Sequence, residues 1–172
     1  NHFNPYPYVV FNDTAAPEIY TGNQWNDDNR RQSDEIGGGH AHAGCMIYQG
    51  GAWPEKYRGM LFMNNIHGNR MNMDILTPKG SGFVCSHGPD FLLTRDQWSQ
   101  MLYMTYGPDG QVWVIDWYDM QQCHRPDPKV HDRSNGRIYR IVYENAKPVK
   151  VDLQKLTDDE LVKLLKHKNE WY

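Results

Sequence analysis

Apolar and polar positions alternate along short runs through most of this chain, and glycine-, proline- and asparagine-rich stretches separate the runs. Alternation with a period of two is typical of β-strands, because successive side chains point to opposite faces of a sheet. The pattern predicts strands at 8–11, 40–48, 57–66, 70–76, 83–85, 101–106, 111–118 and 136–143. We therefore expect an all-β fold, with a tight turn at 107–110 made of residues that favour turns.

Two rounds of this pattern resemble each other. Segment 59–65 aligns with segment 110–116, and their leading glycines are 51 positions apart. That spacing is close to the roughly 50-residue repeat of some β-propeller blades. Each round continues with a strand led by an arginine, Arg70 in the first and Arg137 in the second. An ordinary antiparallel meander also gives strands separated by turns, so the two rounds are compatible with either architecture.

The end of the chain changes character. Thr157 and Glu160 have the spacing of a capping box, which predicts a helix from about position 158. An apolar stripe at helical spacing follows, formed by Leu161, Leu164 and Leu165. The switch from strand to helix near Val151 marks either a domain boundary or a packed tail.

Composition and charge exclude several classes of function. The net charge is −3, whereas a nucleic-acid-binding protein needs a basic face. No run of about 18 apolar residues occurs, so no transmembrane segment is expected. Cys123 and His124 lack the first cysteine of a haem-attachment motif, so we expect no haem in this chain. The chain begins at Asn1 without a signal peptide, which suggests a mature fragment or a piece of a longer polypeptide.

Several segments together resemble a known family. They are 40–50, 57–59, 66–70, 107–118 and 135–139. Over residues 36–172 the chain is similar to the planctomycete-type membrane-bound dehydrogenases, also grouped as PVC-type haem-binding proteins. Members of that family carry a propeller similar to sorbosone and soluble sugar dehydrogenases, then helical HEAT-like repeats, and often a c-type cytochrome module. The earlier blades and the cytochrome motif of the family are absent from this sequence.

The resemblance implies a domain organisation. Residues 1–150 would be a partial β-propeller, its last two or three blades, and residues 151–172 the start of the HEAT-like region or a packed tail. The rest of the propeller, or other chains of a larger complex, would then be partners. The location would be extracytoplasmic, either periplasmic or membrane-associated. A disulfide between Cys45 and Cys123 is expected on the same grounds.

The resemblance also implies an activity. The whole protein would be a quinone- or metal-dependent dehydrogenase that acts on a sugar or related alcohol and passes electrons to a cytochrome module outside this chain. A quinone cofactor with Ca²⁺, or another metal, would be its cofactor. The alternative is a non-catalytic propeller scaffold, or a module that binds carbohydrate or protein.

Histidines are the first candidate site residues. His40 and His42 lie two apart on a predicted strand and so on one face, where they can ligate a metal or act as catalytic groups. Alternatively, both rings are bonded to backbone near a channel mouth. His67 follows the next strand, at the same rim or in a solvated turn. If these histidines converge with Asp116, the enzyme is favoured; if they scatter, the scaffold is.

The remaining candidates each have a structural alternative. Asp116 is a candidate metal ligand, for example for Ca²⁺, or it ties down a turn through backbone N–H groups. Arg70 and Arg137 are candidates for binding an anionic cofactor or substrate, or they hold blades together. Asp74 and Asp90 are weaker candidates. A polar insert contributes His124, Arg125, His131 and Arg133, which we expect on a binding-face loop.

Overall fold

The computed structural model describes residues 32, 37–38, 42–66, 68–120 and 127–172. These residues form antiparallel β-sheets and a C-terminal helix, which confirms the expected all-β class. The strands are β1 His42–Ile47, β2 Leu61–Asn65, β3 Arg70–Lys79, β4 Gly82–His87, β5 Leu92–Leu93, β6 Met101–Tyr106, β7 Val112–Asp116 and β8 Arg137–Ile141. The helix, α1, spans Asp158–Leu164, and short 3-10 turns lie at 55–57, 128–130 and 153–155.

The first sheet has the strand order β1-β2-β3-β4, and β5 pairs with β3. Its β1–β2 hairpin carries a bulge at Gly44, where the register shifts between Ala43 and Cys45. Glycine is required there because φ is +64° and because a Cβ would lie 2.6 Å from the carbonyl oxygen of Leu102 in β6. The bulge therefore lies where the first strands of the two sheets, β1 and β6, contact each other.

The second sheet has the strand order β6-β7-β8. The predicted turn at 107–110 connects β6 to β7: the N–H of Gly110 donates to the carbonyl of Gly107 at 2.9 Å. The carboxylate of Asp109 accepts from the N–H of Gln111 at 3.0 Å, an Asx-type contact that fixes the turn. Gly110 itself has φ of +72°, a conformation that favours glycine.

The core lies between the two sheets. Its buried side chains are Met46, Tyr48, Trp53, Phe62, Met71, Met73, Met101, Met104, Val112 and Val114. Five of these ten are methionine, whose flexible thioether fills irregular space between sheets that do not match perfectly. Burying each such side chain contributes roughly 1.5–3 kcal/mol. Trp53 belongs to this core, whereas Trp113 and Trp117 are 41% and 46% exposed.

The two predicted rounds occupy equivalent places in the two sheets. The alignment of 59–65 with 110–116 places β2 on β7, and each is the second strand of an antiparallel meander. The leading residues Gly59 and Gly110 share a positive φ, 76° and 72°. The pairing of Asn65 with Arg70 is matched by that of Asp116 with Arg137. The repeat is thus present in the strand order and in the residue pairing of the two sheets.

The C-terminal segment combines an exposed helix with a docked tail. The side-chain oxygen of Thr157 accepts from the N–H of Glu160 at 3.4 Å, and Glu160 accepts from the N–H of Thr157 at 2.8 Å, so the predicted capping box is confirmed. Leu165 is 79% exposed, so the predicted stripe does not pack on the sheets. Beyond the helix, the side chain of Asn169 donates to the carbonyls of Gly107 and Pro108 at 2.9 and 3.0 Å. Within the described residues, no helix has the length and apolar character needed to cross a membrane.

Candidate functional site

One face of the first sheet is polar although it is buried. The registers place six polar side chains on this side, and we call this set the polar face: His42, Asn65, Arg70, Asn72, Asp74 and His87. Asn65, Asn72 and Asp74 are each 1% exposed. Buried polar groups at this density require hydrogen-bond partners, so their contacts decide what the surface can do.

Strict alternation along β3 creates the polar face. Arg70, Asn72 and Asp74 alternate with Met71 and Met73, and the two methionines belong to the core between the sheets. Since neighbouring residues of a strand point to opposite sides, the polar residues lie on the side away from the second sheet.

The backbone of residues 37–38 crosses the polar face and supplies acceptors. The side-chain amide of Asn72 donates to the carbonyl of Gly37 at 2.6 Å, and that of Asn65 donates to Gly38 at 2.8 Å. Gly37 has φ of +68°, and a Cβ there would collide with the ring of His87. Only glycine lets the chain pass this close.

His42, the predicted site histidine within the described residues, lies at the start of β1. Its Nε2 is 3.3 Å from the carbonyl oxygen of Gly37 and 3.5 Å from the amide nitrogen of Asn72. Because a carbonyl only accepts, the first contact requires the proton on Nε2. This is the backbone contact that the structural alternative expected. His40 and His67 lie outside the described residues, so their predicted convergence with His42 stays a prediction.

An ion-pair chain runs along the edge of the polar face. Nδ1 of His87 lies 3.3 Å from Asp74, and its Nε2 lies 3.5 Å from Asp90. Arg70 donates to the other oxygen of Asp90 at 2.9 Å, so the buried Arg70 already has an anionic partner. Burial raises the pKa of Asp74 above its usual range, and the hydrogen bond and positive charge of His87 act in the opposite direction.

Sequence reasoning did not single out His87, and it ranked Asp74 and Asp90 as weak candidates. Asp74 and His87 face each other only through the β3–β4 register. Their types and positions alone do not fix that register, since a shift by one residue moves a side chain to the other face.

The polar face retains unused hydrogen-bonding capacity. Oδ1 of Asn72 and Oδ2 of Asp74 have no partner among the described residues. An unsatisfied buried acceptor costs about 1–3 kcal/mol, so both oxygens favour a donor from a ligand or from water. The described residues contain no cluster of three or more His, Cys, Asp or Glu arranged to hold a metal, and the predicted metal ligand His40 lies outside them.

Arg137 occupies the position of the second sheet that matches Arg70 but has a different environment. Its guanidinium lies 3.4 Å from the ring centre of Tyr118, and it donates to the hydroxyl of Tyr139 at 3.1 Å. No carboxylate of the described residues pairs with it. Its charge is therefore available to an anion.

Asp116, at the end of β7, ties down the segment that leads into β6. Its Oδ1 accepts from the N–H of Gln100 at 2.6 Å, while its Oδ2 has no partner among the described residues. This is the backbone-tethering role that was the alternative to metal binding.

The insert before β8 is anchored by Asp119, which is fully buried. Its carboxylate accepts from the indole of Trp117 at 3.2 Å and from the N–H of Asp132 at 3.1 Å, and His131 lies 3.6 Å away. Of the other insert candidates, Arg133 is exposed, and His124 and Arg125 lie outside the described residues.

The expected disulfide does not form in this structure. Cys45 is a free cysteine on β1, and Cys85 is a second, buried one. Cys123 lies outside the described residues. A disulfide requires Cα atoms within about 7 Å of each other. The expectation was based on the family resemblance, which gives no distance between Cys45 and Cys123.

Comparison with known proteins gives one match. Neither curated proteins nor solved structures contain a match to this chain. A family described as a domain of unknown function, DUF7133, matches residues 5–145. That range covers both sheets and the polar face. The chain therefore belongs to the DUF7133 family, whose function has not been defined.

Proposed function

We propose that this chain supplies two consecutive blades of a β-propeller in an extracytoplasmic dehydrogenase that oxidises a sugar or related alcohol. The observation that supports the propeller is an apolar surface of the second sheet. This surface is exposed, whereas the equivalent surface of the first sheet is buried. The dehydrogenase activity follows from the family resemblance and from the chemistry available on the polar face.

The first sheet uses one surface, here called the packed face, to bind the second. It is formed by Met46, Phe62, Asn64, Met71 and Met73. Its apolar members meet Met101, Met104, Val112 and Val114 of the second sheet in one buried cluster. One side of the first sheet thus packs on the opposite side of the next sheet along the chain.

The equivalent surface of the second sheet, here called the open face, is exposed. The matched registers place Trp113 where Phe62 lies, Ile115 where Asn64 lies and Ile138 where Met71 lies. With Tyr103, these residues form the open face, and their exposures are 41%, 48%, 70% and 54% for Trp113, Ile115, Ile138 and Tyr103. A contiguous apolar surface of this kind marks an interaction site.

Repeating the relation between the two sheets once more would place a third sheet on the open face. A propeller is built by this repetition, and it thereby protects the edges and faces of every blade. In this arrangement β1 and β6 are the first strands of adjacent blades, which agrees with their direct contact.

We locate the oxidation of the alcohol on the polar face. Oxidation of an alcohol needs a base for the hydroxyl proton, and a quinone cofactor, when bound, supplies the acceptor for the electrons. Both nitrogens of His87 face carboxylates, so His87 is poorly placed to accept a proton from a substrate. Nε2 of His42 contacts a carbonyl and an amide instead. We therefore assign the role of base to its other ring nitrogen, Nδ1, with His40 and His67 as proposed neighbours.

The activity is tested on the full-length natural protein supplied with a quinone cofactor and Ca²⁺. Reduction of an artificial electron acceptor is followed with a panel of aldoses and sugar alcohols. His42→Asn should lower turnover at least about 100-fold, the contribution of a general base. His131→Asn is the matched control and should retain activity. Equal activity of both variants, or no turnover with any substrate, contradicts the enzyme.

The open face is tested separately by light scattering of the 172-residue chain. We expect the chain to self-associate, and the double variant Ile115→Lys, Ile138→Glu to associate less. A monodisperse, stable wild-type monomer would count against the propeller.

A non-catalytic propeller scaffold or binding module is the second candidate. It is favoured by the tethering contacts, since Asp74 and Asp90 engage His87 and Asp116 holds the N–H of Gln100. In that case His42→Asn leaves no activity to lose and mainly changes stability.

A further inference from the structure

A cleft of about 350 Å³ opens between the two sheets, away from the polar face. Its apolar walls come from both sheets: Leu92, Met101, Val114, Tyr139 and Ile141. Its polar lining comes from Arg140 of β8 and from the segment that connects the sheets: Thr94, Asp96 and Ser99. This volume is at the lower end of the roughly 300–1,000 Å³ typical of small-ligand sites, so it suits a ligand of one or two sugar rings.

Further aromatic rings and Arg137 border the cleft through contacts with its lining residues, and we call them its rim. Tyr139 lines the cleft and accepts a hydrogen bond from Arg137 at 3.1 Å. Arg137 stacks on Tyr118 at 3.4 Å, and Tyr118 lies 5.8 Å from the ring of Trp98. The backbone N–H of Trp98 donates to the carboxylate of Asp96 at 3.0 Å. Asp96 is one of the residues that line the cleft. Trp98 is 38% exposed and Tyr139 is 37% exposed, so their rings are accessible to a ligand.

Two strained residues border this rim. Arg95, next to Asp96, has φ of +53°, and Tyr118 has φ of +45°. A left-handed backbone is costly for large side chains, and such residues concentrate at functional sites. At Tyr118 the strained backbone holds the ring beneath the guanidinium of Arg137.

We propose that this cleft binds an acidic sugar, a uronic acid or a saccharide that contains one. A pyranose ring has apolar C–H faces that pack on aromatic rings, and hydroxyls that donate to carboxylates. Trp98 and Tyr139 offer the rings, and Asp96 offers the acceptor.

The carboxylate of the sugar is assigned to Arg137 by charge. The other arginine near the cleft, Arg140, is already paired with Asp109, whereas no carboxylate of the described residues pairs with Arg137. A planar guanidinium presents a fork of donors that matches a carboxylate. Asp96 would then meet the hydroxyls at the other end of the ring.

This assignment does not depend on the dehydrogenase or on the propeller, because it uses residues of this chain alone. Isothermal titration calorimetry of the complete chain with D-galacturonate, D-galactose and acetate tests it. Galacturonate should bind saturably and more tightly than either of the other two. Arg137→Gln should weaken galacturonate binding about tenfold, as expected for one lost hydrogen bond to a charged group.

Lys147→Gln is the control, since it removes an exposed positive charge ten residues away and should leave binding unchanged. Circular dichroism verifies that each variant is folded. Equal loss in Lys147→Gln and Arg137→Gln would reduce the effect to overall charge. Binding of acetate as tight as that of galacturonate would reveal an anion site without sugar recognition. Either outcome, or no binding by the folded chain, overturns the proposal.

Discussion

The phenol of Tyr48 connects the two sheets, so removal of its hydroxyl tests how the sheets are held together. Tyr48 is fully buried. Its oxygen accepts from the N–H groups of Ala52 and Trp53 at 2.9 and 2.8 Å, and its hydroxyl donates to the carbonyl of Gly110 at 2.8 Å. One oxygen atom thereby ties β1, the loop after it and the turn between β6 and β7.

Tyr48→Phe removes that oxygen and retains the ring, which stacks on Trp53 at 4.6 Å. The change leaves two N–H groups and one carbonyl without their partner. Each unsatisfied buried group costs about 1–3 kcal/mol, and we take the lower bound for each because the groups are adjacent and small relaxations are shared. The free energy of unfolding should therefore fall by about 3 kcal/mol.

Urea denaturation followed by tryptophan fluorescence measures this loss. Tyr103→Phe is the control, because Tyr103 is 54% exposed on β6, and its free energy of unfolding should change by less than about 0.5 kcal/mol. A Tyr48→Phe variant within about 1 kcal/mol of wild type, with the same denaturant slope, would refute the three-bond network.

Three further changes probe the polar face, the helix and the tail. An acid whose pKa is raised in the fold stabilises it most at low pH and loses this contribution as the pH rises through the folded pKa. Asp74→Asn should therefore gain stability relative to wild type as the pH rises above about 4 in urea titrations, and a stability difference that does not change with pH would contradict the raised pKa of Asp74. Thr157→Ala should cost α1 about 1 kcal/mol, seen as faster amide exchange in 158–164, and protection equal to wild type would contradict the cap. Asn169→Ala loses two bonds to the 107–108 turn and should lower the free energy of unfolding by about 1–2 kcal/mol, whereas an unchanged melting temperature would mean that the tail does not stabilise the sheets.

The sequence by itself determined the class and most of the elements. Alternation gave β6 with its observed bounds and placed β1, β2, β3, β4, β7 and β8 to within a few residues. The capping box placed the start of α1. These features are local: each depends on residues a few positions apart, whose side chains and backbone set the period, the turn or the cap. The strand β5, only two residues long, is too short to produce a period.

The sequence also indicated the repeat through the matched glycines Gly59 and Gly110, and both adopt positive φ two residues before β2 and β7. It did not indicate that the first round's surface would be covered and the second round's exposed. Phe62 is buried whereas its counterpart Trp113 is 41% exposed. Alternation tells which residues share a face, but only the relative position of the two sheets decides which face is covered.

Only the tertiary structure assembled the candidate sites. His87 meets Asp74 through strand register, and the ring of His87 lies against Gly37, which comes from a distant part of the chain. The matched arginines Arg70 and Arg137 have the same place in their sheets, yet one is neutralised by Asp90 and the other lies on Tyr118. The physical reason is that charge pairing and burial depend on contacts between segments far apart in the chain, which residue type and spacing do not specify.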